Sequence, residues 1–177
     1  MSNRLVLCRH PEYGACYLDK ASTEKSKNGV RQIIPYVIVI NRRTQRIALF
    51  QRKTGDPRLV GGYIIGIGGH VELDDAEGSP FDVDATLYSA AVREIHEEIC
   101  CSCRSVSLYK MICTEIELSD NEVNSAHLGV AYIFYTSARS MKNVPADELE
   151  FIGWKTKSEL KEYELEAWSE FVMENAL

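Results

Sequence analysis

The segment from Ile33 to Asn41 limits most strongly what this chain can fold into. It reads Ile-Ile-Pro-Tyr-Val-Ile-Val-Ile-Asn, so it is apolar and β-branched almost throughout. A run of this length and composition, followed by a polar turn, is typical of a buried β-strand. Similar patterns predict further strands over residues 46–53, 63–67, 105–117, 128–136 and 151–154.

Two other segments have the period of an amphipathic helix. Apolar residues recur at four-residue steps between residues 85 and 99, which predicts a helix with one buried side. A comparable spacing predicts a closing helix from Lys157 to Ala176. The chain shows no internal repeat and no low-complexity linker. Strands that flank two principal helices therefore indicate one α+β domain with a mixed sheet.

The composition excludes several classes of protein. With 177 residues, 45% of them hydrophobic, the chain is long enough for one domain with a substantial core. A net charge of −6 argues against a protein that coats nucleic acid or a membrane surface. The apolar run near the N-terminus spans only about four residues, too few for a signal peptide, so we expect a cytoplasmic protein. In that reducing compartment the six cysteines are expected to be structural or incidental thiols.

Residues 93–98 read Arg-Glu-Ile-His-Glu-Glu and carry the clearest chemical signal. On a helix, Glu94, Glu97 and Glu98 share one face, and Arg93 joins them as the i, i+4 neighbour of Glu97. Like charges at this spacing destabilise a helix by about 0.2–0.5 kcal/mol per pair. Mg²⁺ or Mn²⁺ converts that repulsion into coordination, because hard cations prefer carboxylate and carbonyl oxygens.

The glycine-rich turn Gly68-Gly69-His70-Val71-Glu72 lies upstream of this helix. It is not a P-loop, because no Gly-Lys-Ser/Thr follows, and it lacks the last glycine of the dinucleotide-binding fingerprint. Between the turn and the helix, residues 73–84 are polar and acidic with glycine, serine and proline as breakers, which predicts an exposed loop. We expect Asp84, at the end of that loop, to cap the helix.

Together these segments resemble the Nudix box, in which a glycine is followed after a spacer by Arg-Glu-aliphatic-x-Glu-Glu. The match begins at Gly69, continues through residues 93–99 and ends at Cys101. The resemblance covers residues 31 to 175 and implies an α/β/α sandwich, a Nudix-type mixed β-sheet flanked by helices. Residues 31–177 are thus expected to form a Nudix hydrolase domain. Residues 1–30 form an N-terminal extension, in which residues 5–7 are expected to add an edge strand.

The sequence departs from the family's pattern at two places. The family's first box glutamate lies six residues after the glycine and eight before the arginine, but here those counts reach Asp75 and Ala85, because the spacer is ten residues longer. No unique counterpart emerges, and we assign a catalytic role to none of the candidates, which are Asp75, Glu77, Asp82 and Asp84. Cys100 stands where the family usually has glycine, which predicts a different helix exit or a strained one.

The resemblance implies a metal centre at the helix. Glu94, Glu97 and Glu98, together with the backbone carbonyl of Gly69, are the expected ligands of Mg²⁺ or Mn²⁺, and the three glutamates are also expected to be catalytic. Arg93 completes the catalytic set, because it is expected to hold a glutamate in place through charge-assisted hydrogen bonds.

The remaining candidates lie outside the helix. In several members of the family a glutamate in a late loop serves as general base or as an extra metal ligand. Glu148 is our catalytic candidate for that role, with Glu150 and Glu122 as alternatives. The candidates for substrate binding are Arg52, His70 and Glu72.

Nudix hydrolases cleave a nucleoside diphosphate linked to another moiety, so the resemblance implies metal-dependent hydrolysis of a diphosphate linkage by water attack on phosphorus. The expected partner is a small-molecule nucleotide or other diphosphate. A homodimer is left open, and we expect no nucleic-acid polymer and no membrane as a partner.

The long spacer and the missing first glutamate leave an alternative, a ligand-sensing module without turnover. A relative of isopentenyl diphosphate isomerase would need a catalytic cysteine, for which Cys113 is the nearest candidate. The sequence lacks the features typical of the subfamilies that act on ADP-ribose, on dinucleoside polyphosphates and on dinucleotide cofactors, so the substrate stays open.

Overall fold

A mixed β-sheet lies at the centre of the computed structural model, which describes residues 4–23, 29–55, 57, 59–78, 81–100, 107–118, 125–143 and 148–177. The strands are β1 (Leu5–His10), β2 (Gly14–Asp19), β3 (Arg31–Asn41), β4 (Ile47–Arg52), β5 (Tyr63–Ile64), β6 (Gly66–Gly68), β7 (Ile99–Cys100), β8 (Leu108–Ile116), β9 (His127–Thr136), β10 (Lys142–Asn143) and β11 (Leu149–Lys155). The helices are α1 (Lys20–Thr23), α2 (Val83–Glu98), α3 (Lys157–Leu160) and α4 (Ala167–Asn175), and a 3-10 turn covers Leu73–Asp75.

The strand predicted from the apolar run, β3, organises the sheet. One edge of β3 pairs in parallel with β9, from Gln32 opposite His127 to Asn41 opposite Thr136. Its other edge pairs antiparallel with β1, β6 and β4 in turn. β11 and β5 extend the sheet beyond β4, β8 extends it beyond β9, and β7 and β10 form a separate two-stranded sheet. The predicted α+β fold with a mixed sheet is confirmed.

Alternation along the strands separates two apolar cores. Val37 and Val39 face a cluster that includes Ile95 of α2, whereas Ile38 and Ile40 face a cluster supplied by α3 and α4. A β-strand exposes successive side chains to opposite faces, so a run that is apolar at every position is buried only when both faces are covered. Among the described residues, no helix is long and apolar enough to cross a membrane.

The N-terminal residues form a hairpin beside the glycine turn. β1 lies between β2 and the start of β3, with Cys8 opposite Gln32. Leu7 N donates to Val71 O at 2.9 Å, and Val6 forms a β-bridge with Glu72. The hairpin therefore supports the residues just after Gly69. The division of the chain between residues 30 and 31 stays a prediction.

Helix α2 starts and ends differently from the prediction. Asp82, not Asp84, is the N-cap, because the Asp82 carboxylate accepts from Ala85 N at 3.0 Å. Asp84 lies in the first turn, where Lys110 Nζ donates to it at 2.6 Å. At the other end Ile99 is extended, with φ −126° and ψ 119°, and it passes directly into β7. The helix thus takes a different exit, one that needs no left-handed residue at Cys100.

The predicted C-terminal helix from Lys157 to Ala176 is wrong in one respect, because it is two helices. Thr156 and Glu159 form a capping box that starts α3, which ends at Leu160. The chain then extends so that Leu165 bridges Tyr63 of β5, and Glu166 N donates to Tyr63 O at 2.9 Å. Pairing with a distant strand thus overrides the helical period between residues 161 and 166.

Strand β11 contains a bulge. Phe151 lies opposite Phe50 and Gly153 lies opposite Leu49, so Ile152 is an extra residue without a partner on β4. Gly153 has φ 149°, a conformation that residues with a side chain rarely adopt. Because of the extra residue, Phe151 and Trp154 lie on the same side of the sheet, with ring centroids 5.4 Å apart.

Candidate active site

Arg93 is the hub of the site. Its Nε and Nη2 donate to the two carboxylate oxygens of Asp75, at 2.9 and 3.0 Å, and Nη2 also donates to His70 O at 2.8 Å. Its Nη1 donates to Glu94 at 2.7 Å and to Glu97 at 2.8 Å. The bond to Asp75 is the largest cause that raises the pKa of Arg93 above its ordinary value. A single guanidinium thus links the glycine turn to two of the three helix glutamates.

Asp75 is the site residue that the sequence left unassigned. It is 4% exposed, which contradicts the prediction of an exposed loop over residues 73–84, and its Oδ2 also accepts from Glu72 N at 2.8 Å. The charge of Arg93 and this backbone amide make burial of the carboxylate tolerable. Asp75 lies six residues after Gly69, so the count from the glycine was the informative signal. The extra length of the spacer therefore lies between Asp75 and Arg93, in the segment over residues 76–82 and in the first turns of α2.

Gly69 and Glu94 are in direct contact. A Cβ atom at Gly69 would overlap the carboxyl group of Glu94, so a residue with a side chain fits there only if Glu94 moves. Glu94 is 8% exposed, and burial raises its pKa even though Arg93 opposes that rise. The structure therefore brings the glycine backbone and the first helix glutamate together, as the resemblance implied.

Glu98 is held in an environment that disfavours its charge. The pKa of Glu98 is raised to about 7; burial is the largest cause, and the carboxylates of Glu148, Glu94 and Glu97 also contribute. Its Oε2 is buried and has no hydrogen-bond partner among the described residues. The positive charge of Arg52, by contrast, lowers the pKa of Glu98. Four carboxylates and one arginine therefore share one electrostatic neighbourhood.

Arg52 is placed near this cluster by β4. It pairs with Glu166, with Nε to Oε1 at 2.7 Å and Nη2 to Oε2 at 3.3 Å, so the predicted phosphate contact is engaged by a carboxylate here. The next residue, Lys53, donates its backbone N–H to Glu148 O at 2.7 Å, which fixes the candidate base beside the end of β4. Glu166 has no counterpart in the sequence prediction. It follows the break between α3 and α4, which local periodicity did not reveal.

His70 and Glu72 interact mainly with other parts of the site. The buried Nε2 of His70 has no hydrogen-bond partner among the described residues, and its ring lies 6.0 Å from that of His127. Burial and the nearby cations lower the pKa of His70 to about 3, so the ring is neutral. The carboxylate of Glu72 pairs with Arg4, and its carbonyl accepts from Tyr17 Oη at 3.0 Å. Glu72 therefore connects the glycine turn to the N-terminal hairpin.

The chemistry of the donor set fits a divalent cation. Within the part of the chain that the structure describes, no three acidic, histidine or cysteine side chains form a ready cation site. Glu97 is bonded to Arg93 with 53% of its side chain exposed. However, Glu98 offers a buried oxygen without a partner among the described residues, and the absent side chain of Gly69 lets the Glu94 carboxylate lie against the glycine backbone. Clustered carboxylate and carbonyl oxygens are the donors that Mg²⁺ and Mn²⁺ prefer.

Most of the Cys100–Cys103 cluster lies outside the described residues, including Cys101, where the box resemblance ends. The alternative base Glu122 also lies outside them. The other alternative, Glu150, forms an ion pair with Lys53. Of the cysteines whose side chains are described, Cys8 is buried and Cys16 half-buried, and both are free thiols. Burial raises the pKa of Cys8 to about 11, which is typical of an inert thiol in a core.

No family model and no curated protein sequence matches the chain. Solved structures do match. Tm1382, described as a candidate Nudix hydrolase, has a TM-score of 0.73 and 21% identity, with 96% of each chain covered. The dihydroneopterin triphosphate pyrophosphohydrolase of E. coli has a TM-score of 0.55 and 16% identity, covering 81% of this chain and 94% of its own.

A third similar structure is the NUDIX domain of Shewanella oneidensis NrtR, solved in complex with ADP ribose. Its TM-score is 0.54 at 12% identity, and the match covers 89% of this chain and 96% of that domain. Identities this low carry the three-dimensional arrangement and not the chemistry. The arrangement agrees with the one that the box resemblance implied, and the chain has the Nudix fold.

Proposed function

We propose that this chain hydrolyses a diphosphate linkage in a nucleoside diphosphate derivative, by metal-dependent attack of water on phosphorus. The observation that carries the proposal is the cluster around Arg93, which brings Gly69, Glu94 and Glu97 together beside the unpartnered oxygen of Glu98. Two similar structures support the substrate class, since one is named for a pyrophosphohydrolase and the other holds ADP ribose, a diphosphate compound.

The residues divide the work by their chemistry. Glu94, Glu97, Glu98 and the Gly69 carbonyl would hold Mg²⁺ or Mn²⁺, which would offset the charge of the diphosphate and acidify a water molecule. Arg93 orients Glu94 and Glu97 and is itself fixed by a bidentate bond to Asp75.

Proton transfer and substrate binding fall to residues at the rim of the cluster. Glu148 is exposed, and its carboxylate lies close enough to Glu98 to raise the pKa of that residue. This position suits Glu148 to accept a proton from the attacking water. Arg52 contacts a phosphate of the substrate once its bond to Glu166 opens. His70 and Glu72 are proposed to line the mouth, where the neutral ring of His70 adds no positive charge. The cytoplasmic location and the homodimer stay predictions.

Metal binding and turnover are tested separately. Isothermal titration with Mn²⁺ is expected to show binding that Glu98→Gln weakens at least about tenfold, since one ligand loses its charge. Glu174→Gln, on the exposed end of α4, removes the same charge away from the site and is expected to bind as the native chain does. Equal binding by all three proteins would refute the metal centre.

For turnover, phosphate-containing products are measured over a panel of nucleoside diphosphate derivatives with Mg²⁺. We expect hydrolysis of at least one compound, lowered about 100-fold or more by Glu98→Gln and unchanged by Glu174→Gln. Tight binding of a panel member without hydrolysis would instead support the ligand-sensing alternative.

A further inference from the structure

A second concave surface lies at the far end of the β4–β11 ladder. It encloses about 290 Å³ and is lined chiefly by Arg43, Arg46, Arg139 and Trp154, and we call it the arginine cleft. In the ladder, Arg52 lies opposite Leu149 at one end and Ile47 opposite Lys155 at the other. At about 3.3 Å per residue, these ends are roughly 17 Å apart. The cleft is therefore separate from the carboxylate cluster.

A buried asparagine fixes the frame of the cleft. Asn41 is 5% exposed, and its Nδ2 donates to Ala138 O at 2.8 Å. Its Oδ1 accepts from the backbone N–H groups of Arg43 and Thr44, at 3.0 and 3.2 Å. The turn that carries Arg43 is thus tied to the end of β9, next to Arg139. Such a frame holds two cationic residues close together at a low cost in conformational entropy.

The indole of Trp154 closes the third side. The indole Nε1 donates to Arg139 O at 2.9 Å, and the backbone carbonyl of Trp154 accepts from Arg46 Nη1 at 3.1 Å. Arg46 also pairs with Glu159, at 3.1 Å, so its charge is offset by a carboxylate. The wall that carries Trp154 is therefore joined by hydrogen bonds to both neighbouring walls.

Two guanidinium groups of the cleft are uncompensated. Arg43 and Arg139 are exposed, and neither side chain forms a hydrogen bond or ion pair with any part of the chain that the structure describes. Among the described residues, no carboxylate lines the cleft. A protein with a net charge of −6 thus keeps a local excess of positive charge on a rigid frame. Uncompensated guanidinium forks of this kind match the oxygens of a phosphate group.

We infer that the arginine cleft is a second ligand site, which binds the phosphate group of a small anion without a metal. Arg43 and Arg139 donate to the phosphate oxygens. Arg46 keeps the Trp154 wall in place. Trp154 presents an aromatic surface beside the anion, where the base of a nucleotide could lie. The inference does not depend on the proposed hydrolysis.

The two tryptophans provide a direct test by NMR. Trp154 lines the cleft, whereas Trp168 of α4 packs on Tyr36, so the two indole N–H signals report on different places. Inorganic phosphate and adenosine monophosphate are each titrated into the ¹⁵N-labelled full chain in EDTA, with sodium chloride at matched ionic strength as reference. Loss of one signal in Trp154→Phe assigns the pair.

We expect phosphate to shift the Trp154 signal in a saturable way and to leave the Trp168 signal in place. A smaller Kd for adenosine monophosphate than for phosphate would show that the natural ligand class is a nucleotide, and equal values would show that the phosphate group alone is recognised. Failure of both compounds to shift the Trp154 signal at up to roughly 10 mM would overturn the inference.

Variants of three exposed arginines distinguish a specific site from general electrostatic attraction, since two of them line the cleft and the third, Arg42, does not. Arg43→Gln and Arg139→Gln are each expected to raise the Kd about tenfold, since each removes a charge-assisted hydrogen bond. Arg42→Gln removes the same charge from the same turn but from outside the cleft, and it is expected to change the Kd less than about twofold. Equal weakening by all three variants would show diffuse electrostatic attraction and would overturn the inference.

Discussion

Both carboxylate oxygens of Asp75 accept hydrogen bonds from Arg93, at 2.9 Å from Nε and 3.0 Å from Nη2. The side chain of Asp75 is 5% exposed and that of Arg93 is 27% exposed, so this pair is more shielded than a surface ion pair. The bond joins the end of the glycine turn to the middle of α2 across a sequence separation of 18 residues. It holds the guanidinium that in turn holds two glutamates.

Replacing Asp75 by asparagine is expected to lower the free energy of unfolding by about 2 kcal/mol, because Arg93 loses a shielded charge partner. Asp74→Asn is the matched control, since Asp74 is exposed and adjacent, and it is expected to change stability by less than about 0.5 kcal/mol. Urea unfolding measures both variants. Similar losses in both would show that the Arg93–Asp75 pair contributes little.

The contact between Gly69 and Glu94 predicts a non-additive pair of substitutions. Gly69→Ala is expected to destabilise the chain by about 2 kcal/mol, because the new Cβ displaces the buried Glu94 carboxylate from its hydrogen bond with Arg93. In a Glu94→Ala background there is no carboxylate to displace, so the same substitution is expected to cost less than about 1 kcal/mol. Denaturant unfolding of the four proteins completes the cycle. The same cost in both backgrounds would contradict the contact.

Glu98 predicts a pH dependence of stability in EDTA. In the unfolded chain its carboxyl ionises near 4.5, whereas burial and neighbouring carboxylates raise its pKa to about 7 in the folded chain. Between these values the folded state binds more protons, so the free energy of unfolding falls as pH rises from about 4.5 to about 7. Unfolding titrations across this range should show a smaller fall for Glu98→Gln. Glu174→Gln is the control and should follow the native chain; a native-like curve for Glu98→Gln would refute the shifted pKa.

The N-terminal hairpin is expected to stabilise the glycine turn through one hydroxyl group. Tyr17→Phe removes the hydrogen bond to Glu72 O and leaves a half-buried carbonyl without it, so we expect a loss of about 1 kcal/mol. Tyr13→Phe removes a hydroxyl from a side chain that is 74% exposed and should be nearly neutral. Thermal unfolding compares the two. Equal midpoints would show that the Tyr17 hydroxyl contributes nothing to stability.

Sequence periodicity predicted the elements that depend on local pattern. The strands around residues 33–41 and 128–136 and the helix over 85–99 lie within two residues of their predicted bounds, because each buries an unbroken apolar face. The predicted helix from residue 157 to 176 failed between 161 and 166. There, Leu165 and Glu166 bond to Tyr63, a partner about 100 positions away that no local pattern contains.

The part of the candidate site that could be predicted from the sequence is the part whose charged residues recur at helical spacing along α2. Arg93 contacts Glu97, as the helical spacing suggested, and it also contacts the adjacent Glu94, which the spacing did not predict. Asp75 was predicted to lie in an exposed loop because its neighbours are polar. Its burial depends on Arg93, and only the fold brings the two together. Glu166 escaped prediction for the same reason, since its partner Arg52 lies on a strand 114 residues away.

The bulge at Ile152 decides which face of the sheet carries the indole of Trp154. If Ile152 were paired with Leu49, Trp154 would lie opposite Ile47, on the face that packs against α3 and α4, while Leu149 kept its place opposite Arg52. Because Ile152 has no partner, Trp154 lies opposite Ala48 instead and its ring occupies the other face. One unpaired residue thus lets a single strand serve two places at once, a wall of the arginine cleft at one end and the anchor of Glu148 at the other.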